Sequence, residues 1–205
     1  MRNKVPHYFD PKENAPHAYQ KIEAEFEGKN FIFLTDSHVF SREAVDFGSS
    51  LLISTMLAQE ENRKLRLLDL GTGVGVVGIV LAALRPAFEL VMTDVNSRAL
   101  ALAKKNAGVL KHKKPEIILS DGLENVSGDF DLIALNPPIR AGKDTVYRLY
   151  REAAAQMTAT GVLYVVIRVK QGAKSTQSEL ENLFMQVELL ERSKGYLILR
   201  ASLPK

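Results

Sequence analysis

The chain has 205 residues, 46% hydrophobic and 25% charged, the composition of one folded domain with a substantial core rather than of a disordered or fibrous chain. It contains no cysteine, which excludes disulfides and thiolate metal sites and suits a reducing cytoplasm, the expected location. The net charge of +3 permits a nucleic-acid partner without demanding one, and no apolar stretch is long enough to predict a membrane span.

The start, Met1-Arg2-Asn3-Lys4-Val5-Pro6, is polar and lacks the apolar core of a secretory signal. With Pro6, Pro11 and Pro16, residues 1–20 read as an extended arm, and residues 21–205 as a single domain. Lys21 to Glu27 alternates apolar and charged residues; Gly28-Lys29-Asn30 reads as a turn and Phe31 to Leu34 as the return strand of a β-hairpin. Ser41 can open a helical turn, and Asp46 to Leu57 has apolar residues at helical spacing. From Leu65 the pattern is regular. Strands are predicted at Leu65–Leu70, Phe88–Thr93, Glu116–Ser120, Phe130–Leu135 and Val162–Val169. Helices are predicted at Val74–Leu84, from the N-cap Asn96 to about Val109, at Asp144–Thr158 and at Glu179–Phe184. Two last strands, Val187–Arg192 and Tyr196–Ala201, are joined by the tight turn Ser193-Lys194-Gly195. Alternating strands and helices predict an α/β fold with a doubly wound, mostly parallel sheet of seven strands. The closing hairpin makes the C-terminal strand antiparallel.

The densest basic run, Lys111-His112-Lys113-Lys114, follows a helix end, where cations complement the helix dipole. More informative is the turn after the first core strand, Asp69-Leu70-Gly71-Thr72-Gly73-Val74-Gly75-Val76-Val77-Gly78. Read from Gly73 it contains Gly-x-Gly-x-x-Gly, with Asp94 downstream at the end of the second strand. That is the dinucleotide fingerprint, and it admits a nicotinamide oxidoreductase. The glycines nevertheless begin earlier, as Asp69-x-Gly71-x-Gly73-x-Gly75, and this resembles motif I of class I S-adenosyl-L-methionine-dependent methyltransferases. The resemblance implies a Rossmann-like fold and a methionine moiety lying against glycines that present no Cβ. It also implies Asp69 toward the ligand's ammonium group, Asp94 on the ribose hydroxyls and Asp121 on the adenine amino group. The terminal antiparallel hairpin fits the same sheet.

Asn136-Pro137-Pro138-Ile139 follows the fourth strand. The two prolines lack N–H groups and cannot continue a central strand, so the chain turns and leaves Asn136 at the carboxyl edge, where open α/β sheets bind ligands. The Asn136 side-chain oxygen and the Pro137 carbonyl can each accept a hydrogen bond from a planar NH2 group. Asn136-Pro137-Pro138 resembles motif IV of amino-group methyltransferases. The longer string through Ile139-Arg140-Ala141-Gly142, with Val39-Phe40-Ser41 and Asp46-Phe47-Gly48-Ser49 upstream, resembles the 16S rRNA guanine-N2 methyltransferases. That resemblance, from about Phe31 to the C-terminus, implies guanine N2 of ribosomal RNA as acceptor and rRNA or the small ribosomal subunit as partner. DNA adenine and protein glutamine carry the same amino chemistry, and a non-catalytic RNA-binding factor on this fold is a rival of another class. Many relatives carry Tyr or Phe where this chain has Ile139, so one wall of the pocket is aliphatic. Phe40 can supply an aromatic face or be a core residue. Arg140 and Lys143 can contact phosphates or be solvated loop charges.

Overall fold

The computed structural model describes residues 18–36, 44–111 and 113–205. Phe40, Ser41, most of the expected arm and His112 of the basic run lie outside them. Strands β1 (Gln20–Phe26) and β2 (Lys29–Thr35) form the antiparallel hairpin. Phe26 pairs with Lys29, so the turn is Glu27-Gly28, one residue earlier than expected, with φ of 46° and 73°. Positive φ at both central residues is what a two-residue turn needs to match the twist of the strands. The hairpin buries Ile22, Phe26, Phe31 and Phe33 against the domain.

The remaining elements are α1 (Phe47–Gln59), β3 (Leu65–Leu70), α2 (Val76–Leu84), β4 (Phe88–Asp94), α3 (Ser97–Asn106), β5 (Glu116–Leu119) and β6 (Phe130–Leu135). They are followed by α4 (Lys143–Ala155), β7 (Met157–Arg168), α5 (Ala173–Leu183), β8 (Phe184–Ser193) and β9 (Tyr196–Pro204). The seven-stranded sheet has the order β5-β4-β3-β6-β7-β9-β8. All pairings from β5 to β7 are parallel, and β9 runs antiparallel to both β7 and β8. The central strands β3 and β6 are buried on both faces, which is why they read as continuous apolar runs. Leu67 and Leu132 face a core shared with α1, α2, α3 and the hairpin, whereas Leu68 and Ile133 face the core under α4 and α5. Among the described residues, no helix is long and apolar enough to cross a membrane.

Several boundaries differ from the expected ones, the larger shifts for local reasons. Helix α2 begins at Val76 rather than Val74, because Gly75 holds φ 93° and turns the chain out of helical geometry. Helix α4 stops at Ala155 rather than Thr158, because Met157 pairs with Phe130 and starts β7 five residues before Val162. Gly161 therefore lies inside β7, beside the register shift between Phe130 and Leu132; a Cβ there would come within 2.9 Å of the Phe130 carbonyl. Helix α5 starts at Ala173, and Phe184 belongs to β8 instead.

The chain order fixes where a crevice opens. From β3 the chain winds outward to β4 and β5, then returns to β6 on the other side of β3. The carboxyl ends of β3 and β6 are the switch point of the sheet, where open α/β sheets bind ligands. Leu70 pairs with both Thr93 and Leu135, so Gly71, Asp94 and Asn136 leave their strands at one level.

Candidate active site

Strand β3 delivers Asp69 to the base of the glycine turn, where it is only 4% exposed. Its Oδ2 accepts hydrogen bonds from the Thr72 hydroxyl and from Gly78 N–H at 2.8 Å. Gly78 is the third residue of α2. The carboxylate thus caps the positive end of this helix from the strand below. Gly78 is required there: a Cβ would stand 2.8 Å from Leu90 Cδ1 and 3.0 Å from Asp69 Cβ. Above it the turn is open. Gly71 and Gly73 have φ of 73° and 57°, and a Cβ on either would meet no atom of the described residues within 4 Å. They form a bare backbone cradle with room for a ligand. Gly75 is different in kind, its missing Cβ being filled by Ile79.

Asp94 ends β4 half-buried. Its Oδ2 accepts from Gly73 N–H and its Oδ1 from Asn96 N–H, both at 2.8 Å, so it braces the glycine turn while keeping further lone pairs. Burial pushes the Asp69 carboxyl up to about 6, and the nearby Asp94 charge adds to this. Asp94 is raised as well, chiefly by burial. Two partly desolvated carboxyls under one cradle favour a cationic ligand. They disfavour a pyrophosphate, because the helix N-terminus that would hold it already carries Asp69.

Asp121 stands farther out. Its Oδ1 is paired at 2.5 Å with Arg148 of α4, which also binds Glu152 at 2.7 Å. The sequence reading did not include Arg148; its helical spacing to Glu152 was visible, but its contact with Asp121 depends on how α4 packs.

On the other side of the switch point, Asn136 is half-buried and Pro137 buried. Asn136 Nδ2 donates to Ser49 Oγ at 3.0 Å. This directs the amide nitrogen toward α1 and leaves Oδ1 without a partner among the described residues. Ser49 is itself placed by the helix cap, since Asp46 Oδ1 accepts from Ser49 N–H at 3.1 Å. In the sequence, Ser49 stands out only as the last residue of the string Asp46-Phe47-Gly48-Ser49. The Pro137 carbonyl accepts from Ile139 N–H at 2.9 Å in the short turn that follows, which leaves it one lone pair. Ile139 is half-buried and packs toward the core under α4, while Arg140 is exposed. The structure therefore brings Asp69, Gly71, Gly73, Asp94 and Asn136 to one edge, holds Asp121 by Arg148 beside it, and leaves Phe40 outside the described residues.

A buried ion pair anchors the approach to this edge. Arg98 Nη2 of α3 lies 2.7 Å from Asp36 Oδ2, just past β2. Asn106 binds both backbone groups of Leu34 and the carbonyl of Val74, tying the hairpin to the glycine turn.

A seven-stranded sheet of this order, with one reversed strand, a glycine turn after β3 and an Asn-Pro-Pro after β6, defines the class I methyltransferase fold. Residues 30–200 match the methyltransferase small domain family. The chain belongs to this family. It is 38% identical to YbxB of Bacillus subtilis (strain 168), an uncharacterized protein, over 95% of this chain and 97% of that one. It is 40% identical to the ribosomal RNA small subunit methyltransferase C of Mannheimia succiniciproducens, over 56% of this chain and 33% of that protein. Among solved structures, the T. thermophilus 16S rRNA N2 G1207 methyltransferase (RsmC), in complex with AdoMet and guanosine, is similar with a TM-score of 0.81. The two are 25% identical, and the match covers 91% of this chain and 51% of that one. The chain thus spans about half or less of the ribosomal RNA methyltransferases it matches.

Proposed function

We propose that this protein transfers the methyl group of S-adenosyl-L-methionine to an exocyclic amino group, guanine N2 of ribosomal RNA. The observation that carries the reading is the Ser49–Asn136 hydrogen bond, which leaves Asn136 Oδ1 as an acceptor at the switch point. Support for the cofactor comes from the open Gly71–Gly73 cradle over two carboxyls and from the AdoMet held by the T. thermophilus relative. Support for guanine comes from that relative's described target and its bound guanosine.

Bound in the cradle, the cofactor supplies an electrophilic sulfonium methyl. The chain's residues hold and orient. Gly71 and Gly73 admit the methionine part without side-chain clash, Asp69 and Asp94 supply negative charge beneath it, and Asp94 has lone pairs left for ribose hydroxyls. Asp121, held by Arg148, is the acceptor assigned here to the adenine amino group. Asn136 Oδ1 and the Pro137 carbonyl accept the two N–H groups of the target amine. This draws the nitrogen lone pair out of conjugation with the base and toward the methyl. Pro138 stiffens the turn that sets those acceptors, and Ile139 lines the pocket. The N–C bond forms as the S–C bond breaks, and the extra proton leaves to water after attack. Catalysis is then mostly positioning with fixed dipoles. A paired guanine must leave its duplex to reach the site.

The test is labelled methyl transfer to small ribosomal subunits, naked 16S rRNA, DNA and protein, followed by nucleoside and amino-acid analysis. N2-methylguanosine is the expected product. N6-methyladenine or N-methylglutamine would reassign the acceptor, and no transfer to any of them would favour a non-catalytic RNA-binding factor. Asn136→Ala is expected to abolish transfer while the cofactor still binds. A thermal-shift comparison tests the cofactor itself: S-adenosylhomocysteine should raise the melting temperature and NADH should not.

A further inference from the structure

The carboxyl edge of the sheet carries a second cluster that the amino-group pocket does not use. Strand β7 lies beside β6, with Leu135 paired to Val165, so Arg168 lies two residues beyond the level of Asn136. Arg168 pairs with Tyr196, and Tyr196 with Ser193. The β8–β9 turn is thus on the same edge as Asn136, on the flank away from Asp94 and Asp121. There Phe47, the first residue of α1, lies 5.6 Å from the Tyr196 ring with the planes at 52°. The Arg168 guanidinium stands 4.8 Å from the centre of Tyr196, and Lys194 Nζ 4.8 Å from the centre of Phe47.

Helix α1 joins this cluster to the pocket. A Cβ on Gly48 would come within 2.9 Å of the Tyr196 ring, so helix and ring are in close contact. The next residue, Ser49, holds Asn136. From strand spacing and rise, Tyr196 lies roughly 12 Å from Asn136, a distance a flanking stretch of nucleic acid can span. Positive charge predominates. Residues 168–178 and 192–196 contain Arg168, Lys170, Lys174, Arg192 and Lys194, all exposed, and no Asp or Glu. The adjoining carboxylates Asp46 and Glu191 accept backbone N–H groups of Ser49 and Arg192.

Rings half-buried beneath exposed cations suit one occupant best: a single-stranded nucleic acid, whose phosphates meet the cations and whose bases stack on the rings. We propose that Phe47, Arg168, Lys194 and Tyr196 form the docking platform for the RNA strand flanking the methylated base. This rests on the reading of the chain as an RNA amino-group methyltransferase.

The experiment compares wild type, an Arg168→Glu/Lys194→Glu double variant and Phe47→Leu. Each is assayed for affinity to a fluorescent 16S rRNA fragment across salt concentrations and for calorimetric binding of S-adenosylmethionine. The double variant changes two exposed side chains and leaves the core intact. Its RNA Kd should rise about tenfold or more at about 0.15 M salt, and its salt slope should flatten by about 1.4, the value for two lost single-strand phosphate contacts. Phe47→Leu should weaken RNA binding about tenfold with the slope unchanged, because it removes stacking and no charge. S-adenosylmethionine affinity should stay within about twofold in both variants, since none of the three residues lies under the cradle. Unchanged RNA affinity and slope in the double variant overturn the platform, even if wild type methylates RNA. If wild type methylates no RNA but its RNA binding still depends on these residues, the platform stands and the proposed activity falls. If only binding to a protein substrate weakens, RNA is the wrong occupant.

Discussion

Ser49 and Asn136 are 87 residues apart, and one hydrogen bond between them decides which end of the amide meets the ligand edge. Ser49→Ala removes that restraint and lets the amide rotate. We expect kcat to fall about tenfold, the rate equivalent of about 1.4 kcal/mol, with S-adenosylmethionine affinity little changed. Single-turnover transfer together with calorimetry separates the two effects, and an unchanged kcat would show that Ser49 does not position Asn136. Asp69 makes a prediction in pH. Its folded carboxyl titrates near 6, against an ordinary value of 3.8, so between these values the folded protein holds a proton that the unfolded chain releases. Stability therefore falls as pH rises through that window, by at most about 3 kcal/mol. Asp69→Asn should flatten this decline in urea titrations while weakening the cofactor. In wild type, binding of a cation beneath which Asp69 must be charged should weaken as pH drops below about 6. Calorimetry at pH 5 and 7.5 would reveal this dependence, and equal affinities would dismiss it.

Helix α2 depends on two kinds of glycine that the sequence writes identically. Gly78 lies where helix and sheet touch, with Leu90 and Asp69 against it. Gly78→Ala must push one of them away, and should cost about 1–3 kcal/mol by urea unfolding, with the cap on α2 disturbed. Gly71, at φ 73°, has no atom of the described residues within 4 Å of its absent Cβ. Gly71→Ala should cost only about 1–2 kcal/mol of backbone strain but lower S-adenosylmethionine affinity, because the new methyl enters the cradle. If Gly71→Ala leaves affinity intact, the cradle does not hold the methionine part.

At the scale of the molecule, the hairpin and the helices of one face are clamped by Arg85. It pairs with both Glu27 oxygens at 2.9 and 3.0 Å and donates to the carbonyls of Leu57, Glu60 and Leu84. Those groups belong to the hairpin turn and to the C-terminal ends of α1 and α2, so one planar fork joins three elements. Arg85→Lys keeps the charge and loses the fork. The expected loss is about 1–2 kcal/mol in equilibrium unfolding, larger than for an ordinary surface ion pair.

Much of this protein was determined by its sequence alone. The buried strands β3 and β6 read as short, mostly apolar runs, Asn96 caps α3 as its residue type dictates, and the prolines after Asn136 force the turn that exposes it. Those are local consequences of backbone sterics and burial, and they carried both the sheet and most of the candidate site. Only the tertiary structure decided which side chains meet. Ser49 reaching Asn136, Arg148 reaching Asp121, and Phe47 packing on Tyr196 all join residues distant in the chain. So does the pairing of Met157 with Phe130, which ended α4 early. Such contacts are fixed by helix packing and strand register, quantities that depend on the whole core at once and leave no periodicity in any single segment.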